Sequence, residues 1–333
     1  MATTTSPGRE RVGSVAGVLR SNQNLIIVLA AVAVFIVLLF VFGIQQALVI
    51  GVVNGAMYAL IALGLVLVYK SSGIFNFAQG EFGTVAIYIM WLLTSRHLPY
   101  VLTVLLALGT AVVLGLGTER LVVRPLYSSP RVNLHDATAG VALLCIGVEF
   151  WIGQPLPRQL PPALQRTDRL SIFGVYVSDQ RILLVLVLLG FGVGLWYFFN
   201  RTYYGLALLG AAQDPTATEL VGINTKRVAA FTWALAGLLG GLAGVLNAPI
   251  SGSFFPGFMT TTALIPGFTA AVLGGMTSLP GAFVGGAIVG VAQSVALQST
   301  ALKSIPSPDT LVVFVILILV LAIRPQGLLG KAS

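Results

Sequence analysis

Charge is what this 333-residue sequence has least of. Asp, Glu, Lys and Arg together make up 8% of it, against about 25% in soluble globular domains. So few charges cannot coat the surface of a soluble domain of this size, which excludes a water-soluble enzyme. The apolar fraction of 57% places the chain instead among polytopic membrane proteins. A single cysteine, Cys145, excludes an intramolecular disulfide, and its apolar surroundings point to inert packing. The two histidines, His97 and His135, lie far apart with no Glu-x-x-His context, so a metalloprotease site is excluded and no metal ligands are expected. The sole Gly-Lys pair, Gly330-Lys331, is followed by Ala332 and lacks the earlier glycine of a phosphate-binding loop. No Gly-x-Ser-x-Gly elbow occurs. A chain without these motifs moves a solute rather than reacting with it, or borrows a catalyst.

What is present is apolar length. From Ser21 to Tyr69 there is no charged side chain; with the break at Gly43–Gln46 this stretch holds two spans, Leu25–Phe42 and Ala47–Tyr69. Further spans are expected over Phe82–Thr94, Tyr100–Thr118, Ala137–Gly153 and Ile182–Asn200. Val228–Leu302, also uncharged, suits three spans with breaks at Ala248–Pro256 and Leu279–Pro280, and Thr310–Ile323 makes a short last one. The fold class is therefore an all-α integral membrane protein, a bundle of about ten (8–10) transmembrane helices. The net charge of +8 is read as Lys and Arg of cytoplasmic loops, with no nucleic-acid partner implied. An inside N-terminus and an even span number put two thirds of the 18 Lys and Arg on the cytoplasmic side, with both termini there. Residues 1–24 form a cytoplasmic tail, 25–330 the membrane domain, 154–180 a Pro-rich external loop and 201–227 the longest internal cytoplasmic loop. Repeated small spacings (Gly51/Gly55, Gly190/Gly194, Gly237/Gly241, Gly240/Gly244, Gly281/Gly285, Gly286/Gly290) predict close helix contacts.

Two segments and one residue stand out. The stretch from Lys70 to Phe82 is polar and punctuated by Gly73 and Gly80, with Asn76, Gln79 and Glu81 where a helix should start. It is either a broken or re-entrant element near residues 71–81 beside a substrate path, or an ordinary cytoplasmic turn with Glu81 favoured by the helix dipole. In the second segment Asp214 suits an N-cap, Pro215 the first helical position and Gly222 the stop, which predicts a two-turn helix over Pro215–Val221. Ala217, Leu220 and Val221 share one face. So short a helix needs a surface to dock on: a soluble partner that grips it, or the bundle and lipid headgroups. Glu149, within an apolar span, is either functional or a hydrogen-bonded carboxyl near the span's outer end.

The residues Gly55-Ala-Met-Tyr58-Ala-Leu-Ile-Ala-Leu-Gly64-Leu-Val-Leu-Val-Tyr69 and Gly73-Ile-Phe-Asn76-Phe-Ala-Gln-Gly80-Glu81 resemble the signature of bacterial branched-chain amino-acid ABC permeases. So do Leu220-Val-Gly222-Ile223-Asn224, the block from Phe268 to Gly281 with Gly274-Gly275, and Arg324-Pro-Gln-Gly327-Leu-Leu-Gly330. The blocks come in family order over about Gly51–Gly330 and are most similar to the smaller of the two permease subunits. One departure is Gln79, where members usually carry His, which removes a titratable group. Urea and short-amide permeases share much of the signature. The resemblance implies a transport subunit without its own ATPase, worked with a second related permease, two cytoplasmic ATPase subunits that bind the ATP, and an extracytoplasmic binding protein for a small solute. It implies no cofactor of the chain's own, and a lipid-embedded place in the bacterial plasma membrane. It also implies a substrate pathway beside Asn54, Tyr58, Asn76, Phe77, Gln79, Gly80, Glu81, Phe268 and Thr269. ATPase coupling would fall to Asp214, Pro215, Ala217, Glu219, Leu220, Val221, Gly222, Ile223 and Asn224. A secondary transporter or channel is the rival reading, but only Glu81 and Glu149 could serve as its relay, and they sit in different spans.

Overall fold

The long uncharged runs become long helices. A computed structural model describes residues 45–162, 170–172, 174–213, 215–299, 302 and 304–330, so the tail over 1–24 and the span expected at Leu25–Phe42 lie outside the described residues. In chain order the helices are α1 (Gln45–Ser72), α2 (Gln79–Ser95), α3 (Tyr100–Gly117), α4 (Arg131–Gly153), α5 (Asp179–Arg201), α6 (Tyr203–Gln213), α7 (Pro215–Leu220), α8 (Thr225–Ser251), α9 (Ile265–Gly274), α10 (Leu279–Gln298) and α11 (Pro308–Ile323). A π-turn over Thr118–Val123 and a 3-10 turn over Arg124–Leu126 carry α3 onward, and a π-turn over Thr260–Leu264 leads into α9. Between α4 and α5 the described residues include one short antiparallel pair, β1 (Leu170–Ile172) and β2 (Val175–Val177).

Among the described residues six helices are long and apolar enough to cross a membrane: α1, α3 with its extension, α4, α5, α8 and α10. The segment Thr260–Gly274 and helix α11 are apolar but shorter, and α2 has 17 residues. The expected break at Ala248–Pro256 needs correcting. Helix α8 continues through Pro249 to Ser251, because a proline in the last turn forfeits only one backbone bond near a helix end. The chain then turns at Gly252, whose φ is +78°. The break expected at Leu279–Pro280 falls just before it instead, between Gly274 and Leu279, with Pro280 in the first turn of α10, where proline is tolerated.

Residues Ala47–Ser333 form one unit built around α1 and α8. Glycine sets how closely their neighbours approach. A Cβ built on Gly55 would lie 2.6 Å from the Gly286 carbonyl oxygen of α10, and one on Gly237 of α8 would lie 2.3 Å from that of Ala111 in α3. Gly51, Gly240, Gly241, Gly244, Gly281, Gly285 and Gly290 meet neighbouring helices at similar range. Among the described residues, Gly190 and Gly194 of α5 have nothing within 4 Å of such a Cβ, so this predicted contact finds no partner there. The spacing permits close approach but does not supply the partner.

Candidate functional site: an end cavity, a buried knot and an exposed short helix

On α1, the residues Ile50, Asn54 and Tyr58 recur every four positions and so share one helix face. With Met57 they line a cavity of about 490 Å³, within the range of roughly 300–1,000 Å³ usual for small-molecule sites. Its other walls come from Arg181 at the start of α5, Asn247, Ile250 and Ser251 at the end of α8, and Thr261, Thr262, Ile265 and Pro266 around the π-turn into α9. Gln293 and Leu297 of α10 and Asp309, Thr310 and Val313 of α11 complete it. The Tyr58 hydroxyl donates to Gln293 Oε1, and Gln293 Nε2 donates to Asp309 at 3.5 Å. Of the residues singled out in the sequence, Asn54 and Tyr58 belong to this cavity. Arg181, Asn247, Thr261, Thr262, Gln293 and Asp309 went unnoticed. No local motif marks them, and they come from five separate stretches of chain. The one sequence signal is that Arg181 and Asp309 both stand in the first turn of an apolar helix.

Asn76, Gln79, Gly80 and Glu81 lie elsewhere, at the junction of α1 and α2: Asn76 in the break, and Gln79, Gly80 and Glu81 in the first turn of α2. Helix α1 ends at Ser72, and Gly73, with φ of +67°, turns the chain. The break is packed inside protein: Ile74, Asn76, Ala78, Gln79 and Glu81 are fully buried. Broken backbone there needs side-chain partners, and Asn76 and Gln79 supply them. Asn76 Oδ1 accepts from Ala78 N at 3.0 Å and its amide donates to Gln79 Oε1 at 3.2 Å. Gln79 Nε2 donates to the Ala236 carbonyl of α8 at 2.8 Å. Gln79 fits because position 64 is glycine: a Cβ on Gly64 would lie 2.2 Å from Gln79 Nε2. Gly80 packs against Thr260 in the same way. This arrangement ties α1, α2 and α8 together.

Beside it stand two carboxyls. Glu81 and Glu149 are fully buried and lie next to each other. Glu149 Oε2 accepts from Gly257 N at 2.8 Å, and Thr84 Oγ1 accepts from Met259 N at 3.0 Å. Among the described residues, no N–H group donates to either Glu81 oxygen or to Glu149 Oε1. The segment after α8 is thus latched onto α2 and α4. On its other side Arg158 and Phe254 exchange two backbone bonds of 2.9 Å, while the Arg158 guanidinium lies 4.7 Å from the Trp91 ring centroid and donates to Gly153 O at 3.0 Å. Phe77 and Phe268 form a third group. Phe268 packs edge-on to Phe75 at 5.2 Å, Phe77 N donates to Thr138 Oγ1, and buried Thr269 donates back to Ile265 O. Of Phe75, Phe77, Phe268 and Thr269 none lines the cavity.

The short helix expected at Pro215–Val221 is α7, Pro215–Leu220; Asp214 lies outside the described residues. Its stop forms as expected. Gly222 takes φ of +85°, and Ile223 N reaches back to Thr218 O at 3.2 Å, the long bond of a Schellman ending. Asn224 then caps α8, accepting from Arg227 N at 3.0 Å, and Thr225 donates to Glu219. Thr218 is buried, and Ala217 and Glu219 are exposed. Leu220 and Val221 are 84% and 72% exposed. Nearby, Arg124 pairs with buried Glu119 at 2.7 Å and reaches Lys226 O, fastening the end of α3 to the start of α8. Helix α8 leaves α7, runs 27 residues, or about 40 Å, and ends at the cavity. Cavity and short helix therefore occupy opposite ends of the bundle.

The family described as branched-chain amino acid transport system / permease component matches residues 47–323. The chain belongs to that family. It is a membrane permease component of a transport system, not an enzyme. It is 33% identical to the branched-chain amino acid permease BraD of Pseudomonas aeruginosa, over 86% of this chain and 95% of BraD. It is 30% identical to LivH of Escherichia coli, over 88% and 97%. A fructose import permease of Rhizobium meliloti, FrcC, is 27% identical over 74% and 67%. The structure gives one signature pair a physical role. Leu328 N and Leu329 N bond to Leu273 O and Gly274 O at 2.7 and 3.0 Å, and Gly275 and Gly327 both have positive φ. The Gly274-Gly275 and Gly327–Gly330 blocks are thus two halves of one lock at the end of α9.

Proposed function

We propose that the chain is a permease subunit of an ATP-driven importer that passes branched-chain amino acids across the bacterial plasma membrane. It works with a second related permease and an extracytoplasmic binding protein, and two cytoplasmic ATPases bind the ATP on its behalf. The observation that carries this reading is α7, a helix too short to stand alone that presents Leu220 and Val221 outward at the end opposite the cavity. An ATPase surface that covers them in one state and not another has the differential contact needed to shift the permease between conformations. On this reading α7 and both termini face the cytoplasm, the cavity faces outward, and about ten spans cross the bilayer. The segments around Asn76–Glu81 and Gly257–Met259 enter it as broken elements. The identity to BraD and LivH over nearly their whole length supports the substrate class; the match to FrcC warns that the fold alone does not select it.

The test is Leu220→Asp in the assembled complex. ATP-driven leucine uptake falls to background while membrane insertion and permease pairing are retained. Normal uptake by the inserted variant sinks the coupling role of α7.

A further inference from the structure

Among the described residues, the end cavity holds one cation and one anion, in a chain that has few of either. Arg181 and Asp309 both line it, yet they form no ion pair with each other, and among the described residues the only ion pair within 4 Å is Arg124–Glu119. Asp309 is held by Gln293, which Tyr58 holds in turn. Arg181 makes no side-chain hydrogen bond among the described residues, and neither do the amides of Asn54 and Asn247. Arg181 and Asp309 are both partly exposed, so water satisfies them until a solute of complementary charge replaces it. The remaining wall is aliphatic, with Ile50, Met57, Ile265 and Leu297 among its residues.

We infer that this cavity is a transient receiving site for the zwitterion of an aliphatic α-amino acid, with Arg181 on its carboxylate and Asp309 on its ammonium. The planar guanidinium offers a two-pronged grip to a carboxylate. Asp309, already oriented by Gln293, has acceptor capacity left for an ammonium. Asn54 and Asn247 supply further uncommitted donors and acceptors, and the branched side chain lies against the aliphatic wall. A solute bearing one charge, or none, leaves one or both wall charges unmatched, which gives selectivity by penalty as well as by attraction. This inference rests on the proposed amino-acid import and adds to it a site within the permease itself.

The test uses the complete transporter in proteoliposomes, with ATP on the ATPase side and a saturating amount of binding protein loaded with labelled leucine. Initial uptake and binding-protein-stimulated ATP hydrolysis are measured together. Arg181→Gln and Asp309→Asn are each expected to cut uptake about tenfold or more, in line with loss of a charge-assisted hydrogen bond, with stimulated hydrolysis changed less than about twofold. Asp309→Glu, which keeps the charge, is expected to retain most of the uptake, and Arg181→Lys, which keeps the charge but gives up the two-pronged grip, to retain part of it. Unchanged uptake in both neutral variants overturns the site. So does an equal loss in the charge-keeping variants, or a parallel fall of hydrolysis and uptake, which would mark the pair as a contact for the binding protein. If the unaltered transporter takes up no leucine, amino-acid import itself fails and the site falls with it; uptake by the unaltered transporter beside indifferent variants removes the site alone.

Discussion

Helices α1 and α5 look alike as text. Both are long and uncharged through their middles, and α5 is the more apolar of the two by composition. Yet 83% of the apolar stretch of α1 is buried, against 22% for α5. Hydropathy reports that a helix leaves water; it does not report whether it leaves water for protein or for lipid. The glycine pairs draw the same distinction. Gly237/Gly241 and Gly190/Gly194 have identical spacing, but the first pair meets Ala111 of α3 at close range and the second meets nothing among the described residues. In a bilayer the lipid tails are as apolar as leucine, so no hydrophobic drive sorts helices to the centre, and close packing decides. The centre of this bundle is where facing backbones come close enough to use the missing side chains.

The comparison can be broken most directly at Gly237. Gly237→Leu forces a side chain into the Ala111 carbonyl, and α3 and α8 must separate. Overpacking costs about 1–3 kcal/mol in adaptable cores and more against backbone. The expected outcome is no assembled complex recoverable from the membrane, judged by size-exclusion chromatography; a well-assembled Gly237→Leu complex would show the α3–α8 seam to be loose. A smaller effect is expected from Gln79→Leu. It removes the bond to Ala236 O and leaves that carbonyl and the Asn76 amide short of partners, a loss of about 1–3 kcal/mol, read as a lower melting temperature of the purified complex. Full thermal stability together with impaired uptake would move Gln79 from holding the bundle together to handling solute. The smallest effect is expected at Gly194→Ala. The added methyl has nothing within 4 Å among the described residues and improves helix propensity by up to about 1 kcal/mol, so melting temperature and uptake stay level or rise slightly. A pronounced loss there would reveal a partner on the α5 face.

Much of the architecture was legible from particular residues. The uncharged runs located α1, α3, α4, α5, α8, α10 and α11, and Pro215 with Gly222 bounded α7 within a residue. The break near Gly73 was legible too, since a glycine followed by Asn76 and Gln79 interrupts an apolar run for a local reason. The same residues did not reveal what the break is for. Asn76 and Gln79 draw attention in the sequence as polarity in an apolar context; only the fold shows that they satisfy the backbone of their own break and a carbonyl of α8. The cavity was half hidden. Asn54 and Tyr58 could be picked from one helix, but Gln293 and Asp309 could not, because nothing local to α10 or α11 refers to α1.

The sequence by itself determined that this protein is a helical membrane protein, because hydropathy, charge scarcity and helix punctuation act over a few turns of chain; the transport role came from the resemblance of its sequence blocks to a family of permeases. It also determined where the short helix α7 starts and stops, since proline and glycine act on their own backbone. Only the tertiary structure decided which glycines touch, which carboxyls lie side by side, and that Arg181 and Asp309 face one space. Those are relations between helices, set by close packing across distances in sequence that no local pattern spans.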